Sequence, residues 1–219
     1  MMRNKCFVSN TSIVGRLLRW VYGYFSRFNN SAAYWERRYA SGGNSGGGSY
    51  EKLAKFKAEI INAFVKDNGI NSVMEFGCGD GNQLRYAEYP QYTGFDVSAT
   101  ALDLCRKTFA EDSFKQFNLM SEFKDGVTAD LCLSLDVIYH LVEDEVFQGY
   151  MQTLFGAAKR YVIVYSSNDE SIFGVSHVKH RNFSRWVDEN CPDWNMLSHI
   201  SNRYRDLSPA DFFIYQRKQ

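Results

Sequence analysis

The chain holds 219 residues, 45% hydrophobic and 16% aromatic, enough apolar material for one packed domain and too much for a disordered protein. Its 25 basic and 25 acidic side chains cancel to zero formal charge, so no global basic field recruits nucleic acid, and such a partner is disfavoured. Five cysteines lie scattered without a C-x-x-C pair, which lacks the spacing of a zinc site and reads as the reduced thiols of a cytoplasmic protein.

In the first thirty residues no apolar run approaches the roughly 20 residues of a membrane span, because Arg16, Arg19 and Arg27 interrupt it. Those arginines also fall where the uncharged centre of a signal peptide belongs. Ile13, Leu17, Trp20, Val21, Tyr24 and Phe28 recur at helical spacing opposite Ser12, Arg16, Arg19, Gly23 and Arg27, so residues 1–30 read as an amphipathic helical extension. Two readings stay open for it. Such a stripe usually packs on its own domain or a second subunit, whereas a cationic and aromatic helix can also lie peripherally on the inner surface of a membrane through residues 12–28. The oligomeric state is not legible from this pattern.

Residues 31–50, S-A-A-Y-W-E-R-R-Y-A-S-G-G-N-S-G-G-G-S-Y, join a helical turn bearing Tyr34, Trp35 and Tyr39 to a Gly/Ser loop, which by composition alone is a flexible linker. Ser49 is the expected N-cap of the next helix, which carries Leu53, Phe56, Ile60, Ile61, Phe64 and Val65 and closes at Asn68 and Gly69.

Residues 73–81, V-M-E-F-G-C-G-D-G, then read as a strand, a tight turn and a helix start, with bare backbone open to a ligand. A dinucleotide fingerprint G-x-G-x-x-G needs glycine where Asn82 stands, and the chain is short for an added substrate domain; both count against an NAD-dependent dehydrogenase. The stretch Y-T-G-F-D-V-S, 92–98, is a second strand ending in Asp96, 19 positions past Gly77 (96 minus 77), where a carboxylate suits ribose hydroxyls. Ser98 caps a helix with Leu102, Cys105 and Phe109. K-Q-F-N-L-M at 115–120 follows as a third strand.

The apolar run Leu131–Leu135 within A-D-L-C-L-S-L-D-V-I-Y-H-L, 129–141, has the look of a central strand buried on both faces, with Asp136, Tyr139 and His140 at its carboxyl end. Glu143, Asp144 and Glu145 suit the first turn of a helix. Y-V-I-V-Y at 161–165 forms a fifth strand, and N-M-L-S-H-I-S-N and D-F-F-I-Y-Q-R form the last two.

Glu75, two residues before the first glycine, and the G-x-G-x-G spacing resemble the E/D-x-G-x-G-x-G loop of class I S-adenosylmethionine (SAM)-dependent methyltransferases. The segments after it follow that family's order, and the resemblance covers about residues 31–218. It implies an α/β fold: a three-layer αβα sandwich on a seven-stranded, mostly parallel sheet with a reversed C-terminal strand, forming a domain at 31–219. For the cofactor it implies that Glu75, Gly77, Cys78, Gly79 and Gly81 hold the methionine end. Asp96 and Val97 would meet the ribose, Asn118 and Leu119 the adenine edge, and Leu135 the wall at the fourth strand. Residues 31–50 are similar to a family lid in which Tyr39 and loop backbone close over SAM.

The resemblance implies methyl transfer to a small polar acceptor. A hydroxyl of a sugar, glycan or metabolite is expected, because Leu135, Asp136, Val137 and Ile138 replace the Pro-Pro signature of amino-group methylation. His140 or His177 is the candidate base and Asp136 or Arg181 the orienter, with Tyr139, His180 and Arg181 facing the acceptor. A capping histidine and a solvated basic loop are the plain alternatives. No metal is expected, since H-x-x-H without a thiol or fixed carboxylate underdetermines a ligand set. A non-catalytic SAM-binding or membrane-attached scaffold remains the alternative function.

Overall fold

The computed structural model describes residues 30–218. The amphipathic segment 12–28 and the membrane contact assigned to it lie outside the described residues.

Helix α1 (Ser31–Ala40) starts at Asn30, whose side chain accepts the Ala33 N–H at 2.7 Å. A loop with a single 3-10 turn (Gly47–Ser49) leads to α2 (Glu51–Asp67), and strands and helices then alternate. They are β1 (Val73–Phe76), β2 (Tyr92–Asp96), α3 (Ala99–Thr108), β3 (Lys115–Leu119), β4 (Ala129–Leu135), α4 (Asp144–Ala157), β5 (Ala158–Ser166), α5 (Phe183–Asn190), β6 (Trp194–Ile200) and β7 (Asp211–Arg217).

All seven strands form one sheet in the order β3-β2-β1-β4-β5-β7-β6. From β1 the chain winds outward to β2 and β3, then returns to the other side of β1 with β4, so the order reverses between β1 and β4. Open α/β sheets bind ligands in the crevice at that reversal. Strands β1 to β5 pair in parallel, and β7 runs antiparallel to both β5 and β6. The expected reversed C-terminal strand is β7, and β6 returns to the common direction by pairing antiparallel with it.

Period-two alternation distributes side chains to two cores. Leu131, Leu133 and Leu135 of β4 and Tyr161, Ile163 and Tyr165 of β5 face Phe56, Ile61 and Val65 of α2. Cys132, Val162 and Val164 face the other way, onto Met151, Leu154 and Phe155 of α4 and Phe183 and Val187 of α5. Both faces are dry, as a parallel sheet requires, and the three layers match the expected sandwich.

Two local expectations change. Ser49 does not cap α2: it ends the 3-10 turn, Tyr50 takes the cap position without a side-chain bond, and the Ser49 carbonyl receives the Asn82 amide at 2.7 Å. After the glycine loop the helix start is only a 3-10 turn, Gln83–Tyr86, tied to α2 by a Gln83 Nε2 bond to the Ala54 carbonyl at 2.9 Å. With β2 beginning at Tyr92, that crossover has no room for a full helix. Ser98 does cap α3, accepting the Ala101 N–H at 3.1 Å, and α2 ends at Asn68 before a left-handed Gly69.

Candidate functional site

At the reversal, the carboxyl ends of β1, β2 and β4 surround a cavity of about 130 Å³. Gly77, Gly79 and Gly81 all take positive φ, at 88°, 57° and 73°, which only glycine adopts freely. The backbone is closely covered by protein: a Cβ at Gly77 would strike Val137, and one at Gly79 would strike Ser45 and the Tyr39 hydroxyl. Gly77, Cys78 and Gly79 line the cavity, whereas Gly81 sits beneath Cys105 of α3 and Phe109 at its C-cap.

Three carboxylates face this space: Glu75, Asp96 and Asp136. Glu75 accepts the Tyr92 hydroxyl at 2.6 Å, and burial pushes its carboxyl up to about 7 against the pull of that hydroxyl and of Lys57. Asp96 accepts the N–H groups of Gly79 at 2.8 Å and Ser98 at 2.9 Å, and burial pushes it up to about 6. Each of its oxygens keeps a lone pair beyond these bonds. Asp136 stands in the left-handed region, φ 60°, where a non-glycine residue is uncommon. Its carboxylate takes Lys57 Nζ at 2.6 Å and the Tyr139 hydroxyl at 2.8 Å.

The Gly/Ser segment forms the roof. Ser45 and Asp80 bond each other reciprocally, the Tyr50 hydroxyl donates to Asp80 at 2.8 Å, and Tyr39 shares a bond with Ser45 at 2.9 Å. Helix α1 is pinned at both flanks: Ser31 donates to Glu143, and Glu36 accepts Ser98 Oγ at 2.7 Å and Thr100 Oγ1 at 2.6 Å. Residues 41–50 thus pack on the glycine loop through specific polar bonds, which their composition did not foretell.

Aromatic rings pack around His140 at the cavity wall. Tyr34 stacks on His177 with ring centroids 4.5 Å apart, His177 lies parallel to His140 at 5.8 Å, and His140 meets Trp35 edge-on at 4.8 Å. His140 lines the cavity with Trp35, and its Nδ1 lies 3.1 Å from the His177 carbonyl. Burial pushes its imidazole down to about 4, so it is neutral at neutral pH.

The remaining expected residues divide. Tyr39, Val97 and Leu135 line the cavity. Asn118 and Leu119 do not; Met120 does, because Glu122 accepts the Leu119 N–H at 2.9 Å and turns the chain there. Tyr139 points its hydroxyl at Asp136. His177 contributes its ring to the stack behind His140. His180 pairs with Ser167 Oγ at 2.6 Å and lines a separate open groove. Arg181, expected at an acceptor, is instead engaged by Asp144 at 2.6 Å and by the Leu141 and Val142 carbonyls, each at 2.9 Å, over the Phe147 ring.

Sequence reasoning missed Lys57, Asp80, Glu36 and Tyr150. For Lys57 a signal existed: it occupies the 53-57-61-65 stripe between Leu53 and Ile61, all buried in α2. A cation on an apolar stripe needs a buried partner. Among the described residues, no three His, Cys, Asp or Glu side chains converge as metal ligands, and no helix is long and apolar enough to cross a membrane.

The donor set fits a ligand that carries positive charge and a vicinal diol: three carboxylates, aromatic rings and a glycine backbone enclose one cavity. Residues 74–160 match the family model described as a methyltransferase domain. No curated protein matches the chain in sequence. Among solved structures, the chain is similar to the N-methyltransferase NodS from Bradyrhizobium japonicum WM9 in complex with S-adenosyl-L-homocysteine, at 12% identity over 87% of this chain and 99% of that one, TM-score 0.69. It is also similar to magnesium protoporphyrin IX methyltransferase (ChlM) from Synechocystis PCC 6803 with bound SAH, at 16% identity, 88% and 97% coverage and TM-score 0.60. The methyltransferase domain of bacterial CtHen1 aligns at 19% identity, 77% and 100% coverage and TM-score 0.57. Identities of this size establish a common fold.

Proposed function

We propose that this chain is a class I SAM-dependent methyltransferase, that the cavity at the β1/β4 reversal binds SAM, and that the protein methylates a small polar acceptor, a hydroxyl of a sugar, glycan or metabolite. The observation that carries this reading is the convergence of Glu75, Asp96 and Asp136 on one cavity beside the glycine loop. Carboxylates held at a buried cavity wall favour a cation, and SAM carries a sulfonium and an α-ammonium.

Within this reading Asp96 accepts the ribose hydroxyls, the Gly77–Gly79 backbone cradles the methionine end, and Asp136 supplies negative charge on the β4 side. Trp35, Tyr39 and Tyr150 line the cavity and exclude water, and an aromatic lining suits a cation. Bound SAM supplies an electrophilic methyl group. His140 is the base: with a proton on Nδ1, toward the His177 carbonyl, its Nε2 lone pair is free to accept the acceptor's proton. An acceptor hydroxyl gaining a methyl as the sulfonium's carbon–sulfur bond breaks to the neutral thioether would become a far stronger acid than imidazolium, so a base lowered to about 4 would still take its proton. His177 supports His140 by stacking. The missing Pro-Pro signature after β4 supports oxygen over an amino nitrogen.

The test is twofold. Thermal shifts with SAM, S-adenosylhomocysteine and NAD identify the cofactor, with stabilisation by the first two expected. Mass-spectrometric screening of hydroxylated acceptors with methyl-labelled SAM identifies product. SAM binding without turnover on any acceptor would favour the scaffold reading.

A further inference from the structure

Lys57 is fully buried, its side chain 0% exposed, in the middle of α2. Ions of this size are costly to bury, and a fold keeps one there only with a close partner. The partner is Asp136, whose Oδ2 lies 2.6 Å from Nζ, and the Tyr165 ring lies 5.2 Å from the same nitrogen. Asp136 is the residue with the left-handed backbone at the end of β4, held there by its N–H bond to the Tyr165 carbonyl at 2.8 Å. The oxygen that receives the ammonium also touches the roof: a Cβ at Gly48 would lie 2.5 Å from Oδ2. One carboxylate therefore meets three things at once: a buried cation from α2, the cavity, and the Gly/Ser segment that leads into α2.

We propose that Lys57 is a positioning residue for cofactor binding: its ammonium fixes the Asp136 carboxylate in the cavity wall and against Gly48, so that the anionic wall and the seating of residues 41–50 depend on one buried ion pair. This rests on the SAM reading of the cavity. Lys57 does not line the cavity and acts through Asp136.

The groups that face Asp136 set the pH behaviour. They are Lys57 from α2, Tyr139 and His140 from the turn after β4, and Tyr165 from β5; Glu75 of β1 feels Lys57 in turn. Tyr139 and Tyr165 are held far above the ordinary phenol range by burial, and His140 is neutral near pH 7, so Lys57 alone supplies positive charge among them. Replacing Lys57 by an apolar residue leaves a buried carboxylate with one neutral donor, which favours its protonated form.

Calorimetric titration of the full chain with SAM between pH 6 and pH 9.5 tests this. Lys57→Met is expected to bind at least tenfold more weakly than the parent at pH 7 and to recover part of that loss at pH 9. Lys57→Arg is expected to restore most of the affinity. Because Lys57→Met alone can fail to fold, the cycle includes Asp136→Asn and the double variant, which removes the unpaired charge. A positioning role requires the double variant to match Asp136→Asn within about twofold. Parent-like affinity of folded Lys57→Met at every pH, or a double variant weaker by the product of both single losses, overturns the proposal. A parent chain that binds no SAM overturns the cofactor reading itself, a distinct result.

Discussion

Ser45 and Asp80 bond each other in both directions across 35 residues: the Ser45 N–H donates to Asp80 Oδ2 at 3.0 Å, and the Asp80 N–H donates to Ser45 Oγ at 3.0 Å. A loop rich in glycine is thereby tied to the glycine turn it covers. Asp80→Ala removes the acceptor for Ser45 and Tyr50 together. Each bond contributes roughly 1 kcal/mol, so SAM affinity is expected to fall about tenfold and proteolysis within 41–50 to accelerate. Calorimetry and timed digestion check both, and unchanged values in both would dismiss the segment as a lid.

Adjacent glycines of that segment make a matched pair. A Cβ at Gly47 meets nothing within 4 Å, whereas one at Gly48 meets the Asp136 carboxylate. Gly47→Ala is expected to leave melting temperature and SAM affinity within error. Gly48→Ala is expected to weaken SAM binding by about tenfold, a displacement costing on the order of 1 to 3 kcal/mol. Equal behaviour of the two variants in calorimetry would mean that the segment does not close on Asp136.

Glu75 couples stability to pH. Its folded carboxyl is raised from 4.5 to about 7, so the native state prefers the proton. The contribution is fully present below the unfolded value and is lost as pH rises through about 7. Glu75→Gln removes that loss and keeps an acceptor for Tyr92. The variant is therefore expected to gain on the parent by about 3 kcal/mol between pH 5 and pH 8 in urea unfolding without ligand. In the parent, entry of a cation favours the ionised carboxylate, so SAM affinity should rise over the same range.

His140 has the opposite sign. Its imidazole is lowered from 6.5 to about 4, so the unfolded chain binds the proton more readily and stability is lost as pH falls from 6.5 toward 4. His140→Gln is expected to flatten this acid limb. In methyl transfer His140→Ala should lose roughly 100-fold or more in kcat, the usual scale of a general base, while His177→Ala loses less than tenfold. Full activity in both variants, measured with radiolabelled SAM, would remove histidine from the chemistry.

Much of this molecule is written in local pattern. Glycines at alternate positions after an apolar strand, an acid 19 residues on, and a β4 run apolar on both faces define the sheet and its binding edge, because backbone freedom and period-two burial are properties of short segments. Glu75, Gly77, Cys78, Gly79, Asp96, Leu135, Asp136 and His140 all reach the cavity from those segments.

What the sequence could not determine lies between segments. Composition made residues 41–50 a flexible linker, yet Asp80 and Tyr50 anchor them, and a hydrogen bond between distant residues leaves no period to read. Arg181 resembled a free anion fork until α4 placed Asp144 and two carbonyls around it. Met120 replaced Asn118 at the cavity through a single turn. Lys57 stands on the apolar stripe of α2, but the strand end that supplies its partner is not legible from that stripe. The sequence by itself determined the sheet, the glycine loop and the acids at the strand ends. Only the tertiary structure decided which charges pair and which face the cavity, because a charge's partner depends on distances that the chain closes only when folded.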